Sequence, residues 1–147
     1  MPNGRLAQLF PTEGAFGENV VKCLSARGLN VVTEVPFLGR SVDIVYECAD
    51  SSIVALELKL RPGHVNMALK QAKCCLLGAD RVYVCVPASK VSEATRASLE
   101  RLGVGLVLFQ HRGDAWHLKY AVPSRNRYKR PEYRRILRNG MGEARRR

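Results

Sequence analysis

Three residues near the middle of the chain have types and spacing that could do chemistry together. Glu57 and Lys59 stand two apart in the run Ile53-Val54-Ala55-Leu56-Glu57-Leu58-Lys59-Leu60. On a strand both side chains take one face, while Val54, Leu56, Leu58 and Leu60 take the other. No other Glu-x-Lys occurs in the chain. Upstream, Asp43 lies in a second strand-like run, Ser41 to Glu47, and the turn-rich stretch Cys48-Ala49-Asp50-Ser51-Ser52 joins the two into a hairpin. A loop centred on Asp50 sets residue 43 opposite residue 57, with Cβ atoms roughly 5 Å apart.

Two carboxylates so placed repel each other unless a cation sits between them. Mg²⁺ (or Mn²⁺) fits, because it takes hard oxygen ligands and keeps several waters. Such a metal makes water more acidic and polarises a phosphoryl oxygen. The Lys59 ammonium can orient the attacking water and offset charge that builds during phosphodiester cleavage. The bland alternative is a solvated charged face on a half-exposed strand, which the spacing alone does not exclude.

The elements that must position these residues can be read along the chain. Thr12 is placed to cap a helix running to about Arg27, with Phe16, Val20, Cys23 and Leu24 as its inward stripe and Gly28 as its stop. Gly14 and Gly17 weaken its first turns. Leu29 to Val35 reads as a strand ended by Pro36. The two strands of the hairpin follow, Ser41 to Glu47 and Ile53 to Leu60. Arg61-Pro62-Gly63 breaks the chain before a helix from about His64 to Leu77. Arg81 to Val86 reads as a strand buried on both faces, ended by Pro87. Ser89 is placed to cap a helix from Lys90 to Leu102, and Gly103 stops it. Val104 to Gln110 is another buried strand, and a turn at Arg112-Gly113-Asp114 leads to a closing strand, Trp116 to Val122. The order is αβββαβαβ with a closing β. A meander followed by crossovers demands a mixed sheet flanked by helices.

Asp43 followed by Glu57-x-Lys59, inside that order, resembles the PD-(D/E)XK nuclease superfamily of restriction enzymes, junction resolvases and repair nucleases. The resemblance runs from about Glu13 to Gln110. Val42 stands where the motif has Pro, while Glu before the Lys is allowed. The resemblance implies a restriction-endonuclease-like α/β fold and an Mg²⁺-dependent endonuclease. It counts Leu58, between the pair, with Asp43 and Glu57 among the metal-holding positions. It further implies a Glu on the first helix. Glu13 projects from the inward stripe and is preferred to Glu18, which should face solvent. Gln71, on the helix after Lys59, matches a Gln that some branches place beside the metal or the DNA; the Tyr four residues later is replaced by Cys75. The alternative is a catalytically weak or inactive nucleic-acid-binding module of the same fold.

Composition narrows the partners. The apolar and charged fractions, 46% and 25%, are those of an ordinary globule of one domain. Apolar runs such as Val104 to Phe109 are too short to span a bilayer, and no signal peptide is evident, so the expected setting is cytoplasmic without a membrane partner. The five cysteines form no Cys-x-x-Cys pair and read as reduced core residues. His64, His111 and His117 form no believable metal or triad set. The net charge of +11 is concentrated at the end: residues 124–147 carry nine Arg and one Lys against Glu132 and Glu143. They read as a basic, flexible tail after a nuclease-like domain of residues 1–123. Within it Arg125, Arg127, Lys129, Arg130, Arg134, Arg135 and Arg138 are the expected phosphate contacts, to DNA in preference to RNA, with Tyr128 and Tyr133 interleaved. Pro131 to Arg138 is expected to turn helical only on contact. A solubilising tail is the bland alternative. Cutting both strands of a duplex calls for two active sites, which a homodimer would supply.

Overall fold

The computed structural model describes residues 10, 12–61, 65–88 and 90–147. The elements are α1 (Glu13–Ala26), β1 (Asn30–Phe37), β2 (Arg40–Glu47), β3 (Ile53–Leu58), α2 (Val65–Cys75), β4 (Arg81–Pro87), α3 (Glu93–Leu102), β5 (Gly105–Arg112), β6 (Ala115–Val122) and α4 (Pro131–Arg145). The six strands form one mixed sheet in sequence order. β1, β2 and β3 are an antiparallel meander, β3, β4 and β5 run parallel, and β6 returns antiparallel. Each parallel step needs a crossover, and α2 and α3 provide them.

The sheet divides two cores. One lies under α2, α3 and α4 and includes Ala68, Leu99 and Leu137 with Val45, Ala55 and Val84. The other lies under α1 and includes Phe16, Val20 and Leu24 with Ile44, Leu56 and Phe109. β3 is buried along its whole length, so Glu57 is not on a solvated face: it is 2% exposed. The charged-face alternative therefore fails for Glu57. Gly17 permits the close approach of α1 to β3, since a Cβ there would press on the Leu58 side chain. The glycine that weakens the helix is thus what lets it pack over the end of β3.

Several boundaries differ from the sequence reading. β1 continues through Pro36 to Phe37, because β1 is an edge strand by its pairing, where the missing N–H removes no ladder bond. β3 ends at Leu58, and just beyond it the Lys59 amide still donates to the Cys85 carbonyl at 2.9 Å. The helix expected from Lys90 begins at Glu93, capped by Ser92, whose Oγ accepts from the Thr95 amide at 3.2 Å. Ser89 and His64 lie outside the described residues.

The largest difference is at the C-terminal end. Residues expected to form a flexible tail instead build α4 and a strap leading into it. Leu137 and Met141 are buried in the larger core, and Gly140 brings the helix backbone against the Pro36 carbonyl. The strap is tied at several points. The Arg125 amide donates to the Gly103 carbonyl, the Asn126 side-chain amide donates to the Leu76 and Ala79 carbonyls, and the Arg130 amide donates to the Leu77 carbonyl. Isolated, this helix would be marginal; tertiary burial of its apolar stripe holds it. No helix among the described residues is long and apolar enough to cross a membrane.

Candidate active site

The β2–β3 register pairs Ile44 with Leu56 and Val45 with Ala55, so the ladder brings residue 43 level with residue 57, as the hairpin geometry requires. A local break in the pleat then sets the direction of Asp43. Val32 and Val35 of β1 share one core, as do Val42 and Val45 of β2, although a three-residue step should reverse the face. The break falls at Glu34, which adopts φ 50, between the pairs Thr33–Ile44 and Val35–Val42. Asp43 sits level with it on β2.

The consequence is a carboxyl pair that straddles the sheet. Asp43 lines a cavity of about 490 Å³ under α1, with Glu13, Glu18, Glu34 and Leu58 also on its wall. Glu57 lines a second cavity, of about 380 Å³, beside α2 with Gln71, Cys74 and Cys75. Asp43 Oδ2 accepts from the Leu58 amide at 2.8 Å. Glu57 Oε1 accepts from the Cys75 thiol at 3.7 Å.

The electrostatics follow from burial and like charge. Burial raises Glu57, and the nearby Asp43 carboxylate raises it further, to about 8. Burial also raises Asp43, and the Glu34 carboxylate adds to this; the Leu58 amide and Lys59 oppose it. Near neutrality Glu57 is therefore mostly protonated and donates to Asp43, so the pair holds a proton where a cation could sit. Burial and the Glu57 carboxyl keep the Cys75 thiol protonated.

The other expected residues fall in different places. Lys59 lies beside the pair, its Nζ 4.0 Å from Glu13 Oε1. Glu13 is exposed at the first position of α1, and Glu18 lines the same cavity, so both face the site where only Glu13 was expected. Gln71 is exposed and shares a cavity with Glu57, not with Asp43. Glu34 and Cys75 were not singled out as site residues by the sequence reading. A hairpin turning at Leu38-Gly39 places Glu34 level with Asp43, which is the signal that could have found it. Nothing in the spacing announces the thiol bond of Cys75 to Glu57.

The arginines of the C-terminal segment split into two groups. Arg134 grips both Asp80 oxygens at 2.6 and 2.7 Å, Lys129 reaches Asp80 at 2.9 Å, and Arg138 reaches Glu47 at 3.3 Å. Arg134 and Arg138 also donate to the Ser51 carbonyl. These three expected phosphate contacts are engaged in holding the segment to the body. Arg125, Arg127, Arg130 and Arg135 are exposed, and among the described residues none of them forms an ion pair.

Carboxylate and main-chain oxygens are hard donors, and the Asp43–Glu57 pair, with Leu58 adjoining, suits Mg²⁺ or Mn²⁺ by that chemistry. Among the described residues no group of three or more His, Cys, Asp or Glu converges as a complete protein cage. Two carboxylates with waters are an ordinary Mg²⁺ arrangement.

Comparison with known proteins places the architecture. A protein of unknown function from Silicibacter pomeroyi superposes with a TM-score of 0.59 at 22% identity, covering 97% of this chain and 85% of that one. A repair endonuclease from Pyrococcus abyssi superposes with a TM-score of 0.50 at 19% identity, covering 63% of this chain and 46% of that one. The fold is restriction-endonuclease-like. No family model matches the chain, and no curated protein matches it. In this fold the central hairpin carries Asp43 and Glu57, with Lys59 just beyond its second strand.

Proposed function

We propose that this chain is a metal-dependent nuclease that hydrolyses phosphodiester bonds in DNA. One observation carries the reading: a buried Glu57 whose carboxyl meets Asp43, with the Lys59 ammonium beside them. A fully desolvated acid held against a second acid is costly to a fold, so a binding role for the pair accounts for it better than stability does. The fold, shared with a repair endonuclease, is consistent with that role and makes DNA the substrate class to test first.

Asp43, Glu57 and the Leu58 carbonyl would hold Mg²⁺ or Mn²⁺. The ion would supply Lewis acidity toward a phosphoryl oxygen and lower the pKa of water. The chain's own residues supply the rest. The Leu58 amide fixes the Asp43 carboxylate, and the Cys75 thiol fixes Glu57 Oε1. Lys59 places a positive charge where anionic charge develops, and Glu13 restrains it. The resemblance assigns Gln71 a place beside the substrate, and its exposed amide on the Glu57 side is compatible with that.

The test is incubation with duplex, nicked, junction and single-stranded DNA in Mg²⁺, Mn²⁺ or EDTA. Cleavage that needs the metal supports the reading. Metal-independent binding without cleavage of any form would leave a nucleic-acid-binding module of the same fold.

A further inference from the structure

The exposed arginines of the strap do not stand alone. Arg125 and Arg127 line a groove of about 480 Å³ together with Arg101 from the last turn of α3, Gly103, Pro123 and Tyr128. Glu100 also lies on its wall, so the three arginines outnumber one carboxylate. The groove is built on fixed backbone. Gly103 caps α3 at φ 80, and its carbonyl accepts from both the Arg125 amide and the Ser124 hydroxyl at 2.9 Å. A Cβ at Gly103 would collide with the Arg125 carbonyl, so only glycine admits the strap this closely. Asn126 turns inward to two carbonyls and accepts from the Tyr128 amide at 2.8 Å. In the extended strap Arg125 and Arg127 flank that inward residue and take the outer side.

The place of the groove separates it from the carboxyl pair. The parallel ladder sets Gly105 level with Tyr83, and Tyr83 level with Leu56. Gly103 is therefore about three residues from the level of Glu57 toward the start of the parallel strands, and two strands across. That is on the order of 15 Å through the sheet. A single phosphodiester cannot reach both places.

We propose that this groove is a second anchoring site for an unpaired nucleic-acid strand, held remote from the scissile bond. The proposal rests on the nucleic-acid reading above and adds where the strand is gripped. Arg101, Arg125 and Arg127 present guanidinium forks to successive phosphates, and the half-exposed Tyr128 ring offers a stacking platform to a base. A duplex would hide its base faces from that ring, which is why the occupant is a single strand.

The test uses Asp43→Asn protein in EDTA, so that binding is read without cleavage, and a labelled oligo-dT of about 20 nucleotides, long enough for such a groove. Affinity is titrated at several salt concentrations. Arg101→Ala/Arg125→Ala/Arg127→Ala should flatten the slope of log K against log salt by about 2, from three lost contacts on a single strand. Tyr128→Ala should weaken binding roughly fivefold or more while Tyr128→Phe keeps it. A control removing the same charge at Arg27, Lys90 and Arg112 should change the slope less. Thermal melting of each variant verifies folding, and Arg101→Lys/Arg125→Lys/Arg127→Lys, which keeps the charge, should retain most of the slope. Binding that persists with an unchanged slope in the alanine triple overturns the groove and leaves the nuclease reading standing. An equal loss in the control overturns it too, as does polyglutamate competing as well as oligo-dT at matched charge. No binding of oligo-dT by any protein overturns the groove, while cleavage of duplex, nicked or junction DNA decides the nuclease reading separately.

Discussion

The Leu58 amide donates to Asp43 Oδ2 at 2.8 Å, so the strand that carries Glu57 also orients the carboxylate opposite it. The bond makes the two standard substitutions at Asp43 differ. Asp43→Asn keeps an acceptor for Leu58, so folding should be undisturbed. Asp43→Ala leaves a half-buried amide without its partner and should cost about 1 kcal/mol. Both should abolish cleavage and weaken Mg²⁺ or Mn²⁺ binding. Melting curves, calorimetry with each metal and a cleavage assay check the three parts. Calorimetry on the wild type with no metal binding at millimolar concentration would remove the nuclease reading.

Glu57 predicts a pH dependence with a definite sign. Its folded pKa, about 8, lies above the ordinary carboxylate value of 4.5. The folded state therefore binds the proton more tightly than the unfolded chain does. The resulting stability is fully present below about pH 4.5 and is lost as pH rises through about 8. In metal-free protein the melting temperature should fall between pH 5 and pH 9, and Glu57→Gln, an isostere of the protonated acid, should reduce that fall. Metal must displace the shared proton, so affinity should rise with pH up to about 8. Calorimetry at neutral pH in buffers of different ionisation enthalpy should register proton release. A fall in stability as steep in Glu57→Gln as in wild type assigns the effect to other groups.

Lys59 separates chemistry from metal capture. Its ammonium lies beside the carboxyls and is not a metal donor, so Lys59→Ala should keep metal binding while lowering the cleavage rate at saturating substrate. It also frees Glu13, which is exposed and tolerates the loss. Wild-type turnover in Lys59→Ala would show that Glu57-x-Lys59 is not the catalytic pair.

Much of this arrangement was legible in the sequence, and the unread parts have physical reasons. Alternation and turn signals locate β2 and β3, and a loop centred on Asp50 fixes their register, so Asp43 and Glu57 could be brought together by counting. The kink at Glu34 could not be read, because a positive φ in a non-glycine residue leaves no mark in composition. Burial of Glu57 was also hidden: its β3 neighbours are apolar on both faces only because α1 and α2 cover both sides of the sheet. The C-terminal helix was obscured by its charge. Leu137 and Met141 are the buried apolar residues of a stretch dominated by arginine, and the ion pairs of Arg134 and Arg138 depend on Asp80 and Glu47 from distant segments.

That helix gives the last prediction. For a flexible basic tail, deleting residues 124–147 would weaken nucleic-acid binding and leave the body intact. In this structure deletion removes Leu137 and Met141 from the larger core, uncovers β1 and leaves Asp80 without Arg134 and Lys129. Truncation of Leu137 alone, as Leu137→Ala, should cost roughly 2–5 kcal/mol, since a fully buried leucine leaves a cavity. Asp80 adds a pH signature. Although burial pushes its carboxyl up, the Ile53 amide, Lys129 and Arg134 hold it below the usual range. Its contribution to stability is present above the ordinary pKa of 3.8 and is lost as pH falls below it. Arg134→Ala should therefore destabilise the protein near neutrality and narrow the gap from wild type toward pH 3. Melting curves of wild type, Leu137→Ala, Arg134→Ala and the deletion across that pH range decide between the two pictures. A deletion that melts like the full chain would mean that α4 contributes no stability and that its arginines are available to a ligand.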